Sequence, residues 1–164
     1  MAFDAFLKID GIPGESTDDQ HKDWIELKSF DHGVLQPVSR TASSSGGATT
    51  ERADFTAFNI TKEIDLASPK LFEASFTGKH IKEITIEIRR AGGDQQKYLE
   101  IKMEQVLISY FNQGGSDESG FPVEEVSFAP GKIKMTYIQQ KRGDGTPGGN
   151  VAAGWDLTAN KTYV

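Results

Sequence analysis

Three histidines, His21, His32 and His80, are the residues whose type suits acid–base or metal chemistry near neutral pH in a chain of 164 residues without cysteine. A helical zinc site would place two of them four residues apart, and no pair has that spacing. A serine nucleophile would stand in a sharp G-x-S-x-G turn. Ser16 and Ser116 follow glycine-rich bends but lack the flanking glycines. Asp31 and His32 are neighbours in an extended segment and point to opposite faces, so they cannot work as an acid–base pair. Gly78-Lys79 supplies the end of a phosphate-cradling loop, but Glu73 holds the place of its first glycine and His80 that of its hydroxyl. Glu15, Asp18, Asp19 and Asp23 offer oxygen ligands without calcium-loop spacing, and with His21 they read as a solvated acidic turn. The expectation is no catalytic, cofactor-binding or metal-binding residue, and therefore no enzyme and no cofactor.

The bulk properties narrow the classes further. Eighteen basic against 24 acidic side chains leave a net charge of −6, with no long block of one sign. A nucleic-acid surface needs a basic patch that displaces counterions, so no nucleic-acid partner is expected. The start, "MAFDAFLKID", carries Asp4 and Lys8 where a secretory signal would be apolar. No apolar stretch is long enough to span a bilayer as a helix, and no membrane insertion is expected.

Those side chains must be held by strands. Phe3, Ala5, Leu7 and Ile9 alternate with Asp4, Lys8 and Asp10; Ile84, Ile86 and Ile88 alternate with Thr85, Glu87 and Arg89; Ile133, Met135 and Tyr137 alternate with Lys134 and Thr136. In "YLEIKMEQVLISYF" the apolar phase runs through Leu99, Ile101 and Met103, then shifts to Val106, Ile108 and Tyr110, which a β-bulge or a bend near Glu104 and Gln105 would reconcile. "WIELKSF" slips in the same way between Leu27 and Phe30 and predicts a bent strand that changes layer. One helix is expected after Asp65: Ser68 as cap, Pro69 at the first position, a stripe of Leu71, Phe72, Ser75 and Phe76, and Gly78 as stop. The fold class is all-β, mainly antiparallel, a barrel or sandwich with one short lateral α-helix, in a single domain over residues 1–164.

One polar segment stands out, "SRTASSSGGATTER", residues 39–52. A loop of that length and composition is either functional or disordered. Trp24 and Trp155 keep open a second class, a monomeric β-sandwich module binding carbohydrate or protein through exposed aromatics.

Five stretches taken together, "GESTDDQHKDWIELKSF", "SPKLFEASFTGKHI", "RRAGGDQQKYLEIKMEQVLISYFNQGG", "VEEVSFAPGKIKMTYIQQK" and "GWDLTANK", resemble the Hcp proteins, the haemolysin-coregulated proteins of bacterial type VI secretion. The likeness spans nearly the whole chain in order. It implies a β-barrel with a lateral helix, similar to phage tail-tube proteins, and no enzyme activity. It further implies homohexameric rings stacked into a hollow tube, which works with a spike protein and a contractile sheath. That tube leaves the bacterial cytoplasm without a signal peptide and carries small effector proteins in its lumen. By this resemblance the polar segment takes the place of a loop reaching the next ring, built here from Ser39, Arg40, Thr41, Ser43, Ser44 and Ser45, then Thr49, Thr50, Glu51 and Arg52. Ser29 and Asp31 share a strand face that would look into the lumen.

Overall fold

The computed structural model describes residues 2–38, 50–92, 95–118 and 120–164. Ten strands and one helix follow in order: β1 (Phe3–Ile9), β2 (Ile25–Leu27), β3 (Ser29–Leu35), β4 (Asp54–Glu63), α1 (Ser68–Thr77), β5 (Ile81–Arg90), β6 (Lys97–Gly114), β7 (Val123–Ala129), β8 (Lys132–Gln140), β9 (Pro147–Asp156) and β10 (Lys161–Thr162). Every strand pairing between them is antiparallel. The larger layer runs β10-β9-β8-β6-β5-β1-β2, and the smaller one runs β3-β4-β7-β6. The eighteen residues of β6 belong to both layers.

The alternating segments explain the core. Leu7, Ile84, Ile86, Ile101 and Met103 from the larger layer meet Phe58, Ile60, Val126 and Phe128 from the smaller, all 2% exposed or less. Each such side chain contributes roughly 1.5–3 kcal/mol on leaving water, which makes this face the main driving force for closure. The two expected irregularities are present. Gln105 adopts φ 55°, the pairing with β5 runs from Glu104↔Glu83 to Val106↔Ile81, and the inward phase changes there. The chain leaves the larger layer at Leu27 and joins the smaller at Ser29, with the Lys28 amide donating to Thr61 O at 2.8 Å.

Three expectations need correction. A second irregularity in β6, between Ile108 and Tyr110, turns Tyr110 outward and gives the inward place to Phe111, which pairs with Val126. The helix begins at Ser68 itself, with Ala67 before it and Pro69 second. The Ser68 hydroxyl accepts from the Asp65 amide and makes no cap bond to the helix. Its buried side is Ser68, Leu71 and Ala74, while Phe72 and Phe76 are exposed and meet edge to face at 4.9 Å. Packing across β6 selected the narrower Leu71 and Ala74 side, because Phe111 covers Phe72 from one flank only, at 5.7 Å. Gly78 ends the helix at φ 63°, and the Lys79 amide donates back to Ala74 O.

The acidic turn is the third correction. His21 is 3% exposed and Asp18 lies partly buried beneath it, because both are drawn onto β5 by Glu87 and Arg89, residues some seventy positions away. Local composition could not anticipate those partners.

Candidate functional site

Ser29 and Asp31 stand on the outer face of the smaller layer, opposite the core-facing Phe30. Cross-strand register builds two polar rows from them. Ser29 aligns with Thr61, Glu125 and Asn112; Asp31 aligns with Asn59, Ser127 and Tyr110. The second row is joined by hydrogen bonds. The Asn59 amide donates to Asp31 Oδ1 at 2.8 Å, the Ser127 hydroxyl donates to Asn59 Oδ1 at 2.5 Å, and the Ser109 hydroxyl donates to the Ser127 carbonyl at 3.3 Å. Short polar side chains tied to one another make a fixed, wettable wall with no nucleophile–base pair in it.

Behind this wall the rings of Phe30 and Phe58 stack at 5.9 Å, and His32 stacks on Phe58 at 5.1 Å. Burial pushes the His32 imidazole below its usual value of 6.5, against the opposing pull of the Asp31 charge. Gly33 and Thr56 form an irregular step beside it, with the Thr56 hydroxyl donating to Gly33 O and Ala57 held at φ 109°. That step aligns Asn59 with Asp31, and nothing in the sequence marked it.

Of the segment expected to reach another ring, Ser39, Arg40, Thr41, Ser43, Ser44, Ser45 and Thr49 lie outside the described residues. Thr50 bridges Val38, the Glu51 amide donates to Pro37 O at 3.1 Å, and the Arg52 guanidinium donates to the Leu157 carbonyl. Val38 and Thr50 thus form an isolated antiparallel bridge beyond the end of the β3–β4 ladder at Leu35↔Asp54. Neither indole is an open platform: Trp24 lies against His21 at 4.8 Å, and both Trp24 and Trp155 are half-buried. Among the described residues no group of three or more His, Asp or Glu side chains could hold a metal ion.

The family model described as type VI secretion system effector, Hcp, matches residues 6–137. Protein hcp1 of Pseudomonas aeruginosa is 34% identical over 161 residues, covering 98% of each chain. The chain belongs to the Hcp family. Hcp1 from Salmonella typhimurium, a solved structure, superposes with a TM-score of 0.83 at 34% identity, covering 99% of this chain and all of that one. Another solved type six secretion system protein reaches a TM-score of 0.92 at 32% identity, covering 99% and 100%. This Hcp chain is accordingly a type VI secretion tube protein and effector, a structural protein and not an enzyme. Among its described residues no helix is long and apolar enough to cross a membrane.

Two ionisable groups give it a definite acid response. The Arg89 guanidinium, aided by His21 and the Gln20 amide against the opposing effect of burial, holds Asp18 down from 3.8 to about 2. A carboxyl lowered by folding stabilises the fold fully above its unfolded value, and that contribution is lost as pH falls from about 4 through about 2. His32 is lowered too, so the unfolded chain takes its proton first and stability declines as pH drops below 6.5. Denaturant titrations from pH 7 to 2 should therefore show two descending limbs. His32→Gln should flatten the upper limb and Asp18→Asn the lower; limbs unchanged in both variants would refute the assignment.

Proposed function

We propose that this Hcp chain, acting as one domain over residues 1–164, works by self-association: six copies close into a ring, and rings stack into a hollow tube. The tube passes from the bacterial cytoplasm to the outside. It carries small effector proteins in its lumen and works with a spike protein and a contractile sheath.

The observation that carries this proposal is an apolar sheet face with no cover. Met135, Tyr137 and Val151 sit on the core side of the larger layer, in register with Ile101 and Leu99, yet they are 40%, 47% and 71% exposed. The smaller layer stops short of them. A face built like a core and left open is what a subunit interface requires. The outer edge of β3 has no strand partner among the described residues, and an exposed edge of that kind is shielded when a head-to-tail ring closes. In such a ring the polar wall of Ser29 and Asp31 faces the lumen, where a wet, hydrogen-bonded surface lets a passenger be held and released. The segment Ser39 to Arg52 makes the contact with the next ring.

The test is light scattering with electron microscopy of the purified protein at micromolar concentration. Hexameric rings are expected, and Tyr137→Glu combined with Val151→Glu should shift them to folded monomers. A wild-type monomer without rings would overturn the proposal. Rings that tolerate both glutamates would remove this face from the interface.

A further inference from the structure

The chain between β1 and β2 crosses the outside of the larger layer as a strap, remote from the polar wall. Its turn is closed by backbone bonds: the Gly14 amide donates to Asp23 O, Ser16 to Trp24 O, Asp23 to Ser16 O and Trp24 to His21 O. Two side chains tie it to the sheet: Asp18, whose carboxylate accepts from the Arg89 guanidinium of β5, and His21. The ring lies flat on Phe6 at 4.2 Å with 5° between planes, and meets the edge of Trp24 at 4.8 Å. Nδ1 is 2.9 Å from Asp18 Oδ1 and Nε2 is 2.7 Å from Glu87 Oε2.

The charged groups around it come from three elements besides the strap. Asp18 on the strap is also bound by Arg89 of β5, whose guanidinium covers Phe6 at 4.8 Å, with Asp4 of β1 at 3.6 Å from Arg89 Nε. Glu87 of β5 takes a second ion pair from Lys97 of β6 at 3.2 Å, and Lys97 is shared with Glu100 at 2.6 Å. Lys8 of β1 lies 5.9 Å from the Trp24 ring.

Hydrogen counting constrains this arrangement. An ionised carboxylate only accepts, whereas a neutral imidazole carries one N–H and one lone pair. With both acids ionised, the two short contacts can both be hydrogen bonds only while both ring nitrogens carry hydrogen. If one proton leaves to solvent, a lone pair faces a carboxylate oxygen in a buried position, and either the bond to Glu87 of β5 or the bond that braces the ring against Asp18 within the strap is lost.

We propose that the His21 strap is a protonation latch, closed on the sheet while the imidazole holds two protons and released when one is lost. Release uncovers Phe6 and the charged row of Glu87 and Glu100 on the outer face of the barrel. No part of this device depends on ring formation.

Ring nitrogen resonances of His21, followed by NMR on the full chain with rising pH, report its protonation directly. Amide hydrogen exchange of Gly14, Ser16, His21 and Trp24 reports the strap. While both nitrogens carry hydrogen the strap amides should be protected. Loss of one ring proton should coincide with roughly tenfold to hundredfold faster exchange there, the worth of one charge-assisted bond, while Ile86 and Ile101 amides keep their protection. His21→Gln, which can donate to only one carboxylate, should exchange fast at all pH values. A single neutral tautomer with a protected strap would overturn the latch, as would strap protection indifferent to loss of the ring proton. Both decisive readouts come from the wild type, so they test the latch even where the His21→Gln chain fails to fold.

Discussion

Lys62→Met is expected to lower the stability of this Hcp protein by about 3–5 kcal/mol, the usual cost of stripping one partner from a buried ion pair. The ammonium is wholly enclosed. It meets Glu124 at 2.7 Å, Asp65 at 2.8 Å, the Glu63 carbonyl at 2.8 Å and the Ser68 hydroxyl at 3.3 Å. Glu124 is equally enclosed, and without Lys62 its charge keeps, among the described residues, the Gln113 side-chain amide at 2.7 Å. Asp65 and Ser68 also shape the entry to α1, so the start of that helix should fray along with the pair. A thermal midpoint lower by on the order of 10 °C follows for a chain of this size. Lys62→Met with Glu124→Leu should recover most of the loss, because two apolar side chains of similar volume replace a pair whose desolvation nearly offsets its attraction. Guanidinium denaturation of the two variants decides the matter: a single substitution costing under about 1 kcal/mol would mean that this pair does not hold the helix to the barrel.

Phe58→Ala should have a comparable effect, about 3–5 kcal/mol for a large aromatic removed from a closed core. Phe58 is fully buried and stands between Phe30 and His32 in the middle of the smaller layer. Its removal leaves both rings without a backing, directly behind the row of Asp31, Asn59 and Ser127. The imidazole should then hydrate, its titration should move up toward 6.5, and the upper acid limb of stability should shrink. If urea unfolding of Phe58→Ala shows a loss below about 1.5 kcal/mol with the His32 titration unchanged, the stack is not what sets that environment.

How far the sequence revealed these features depended on distance along the chain. The change of phase at Gln105 and the change of layer at Lys28 were legible, because an apolar period of two that slips by one leaves a bulge or a bend as its physical remedy. Ser29 and Asp31 were placed on one face by the same parity. Their neighbours were not, since aligning Asn59 with Asp31 depends on the step at Gly33 and Ala57, where no residue type announces a strained φ. Lys62 gave no signal either; a lysine becomes a core residue only when Glu124, far along the chain, is brought beside it. His21 misled for the same reason, as its turn looked solvated until β5 supplied Glu87 and Arg89. The helix misled differently. Its stripe of Phe72 and Phe76 is real but faces outward, and a pattern that marks an apolar side does not say whether the same chain covers it.

β6 sets a condition on how this protein reaches its structure. It pairs with β5, β8 and β7, and it alone joins the two layers through hydrogen-bonded neighbours on both halves of its length. β1 waits for β5, across pairs such as Leu7↔Ile86. The β6–β8 and β1–β5 pairings join strands distant in the chain, and closing those loops must precede any return, which slows the search for the native state. The β5–β6 hairpin is a local unit from which both layers can grow. Substitutions at Ile101 or Met103, in its centre, should therefore slow refolding, whereas those at the β9–β10 margin should mainly speed unfolding.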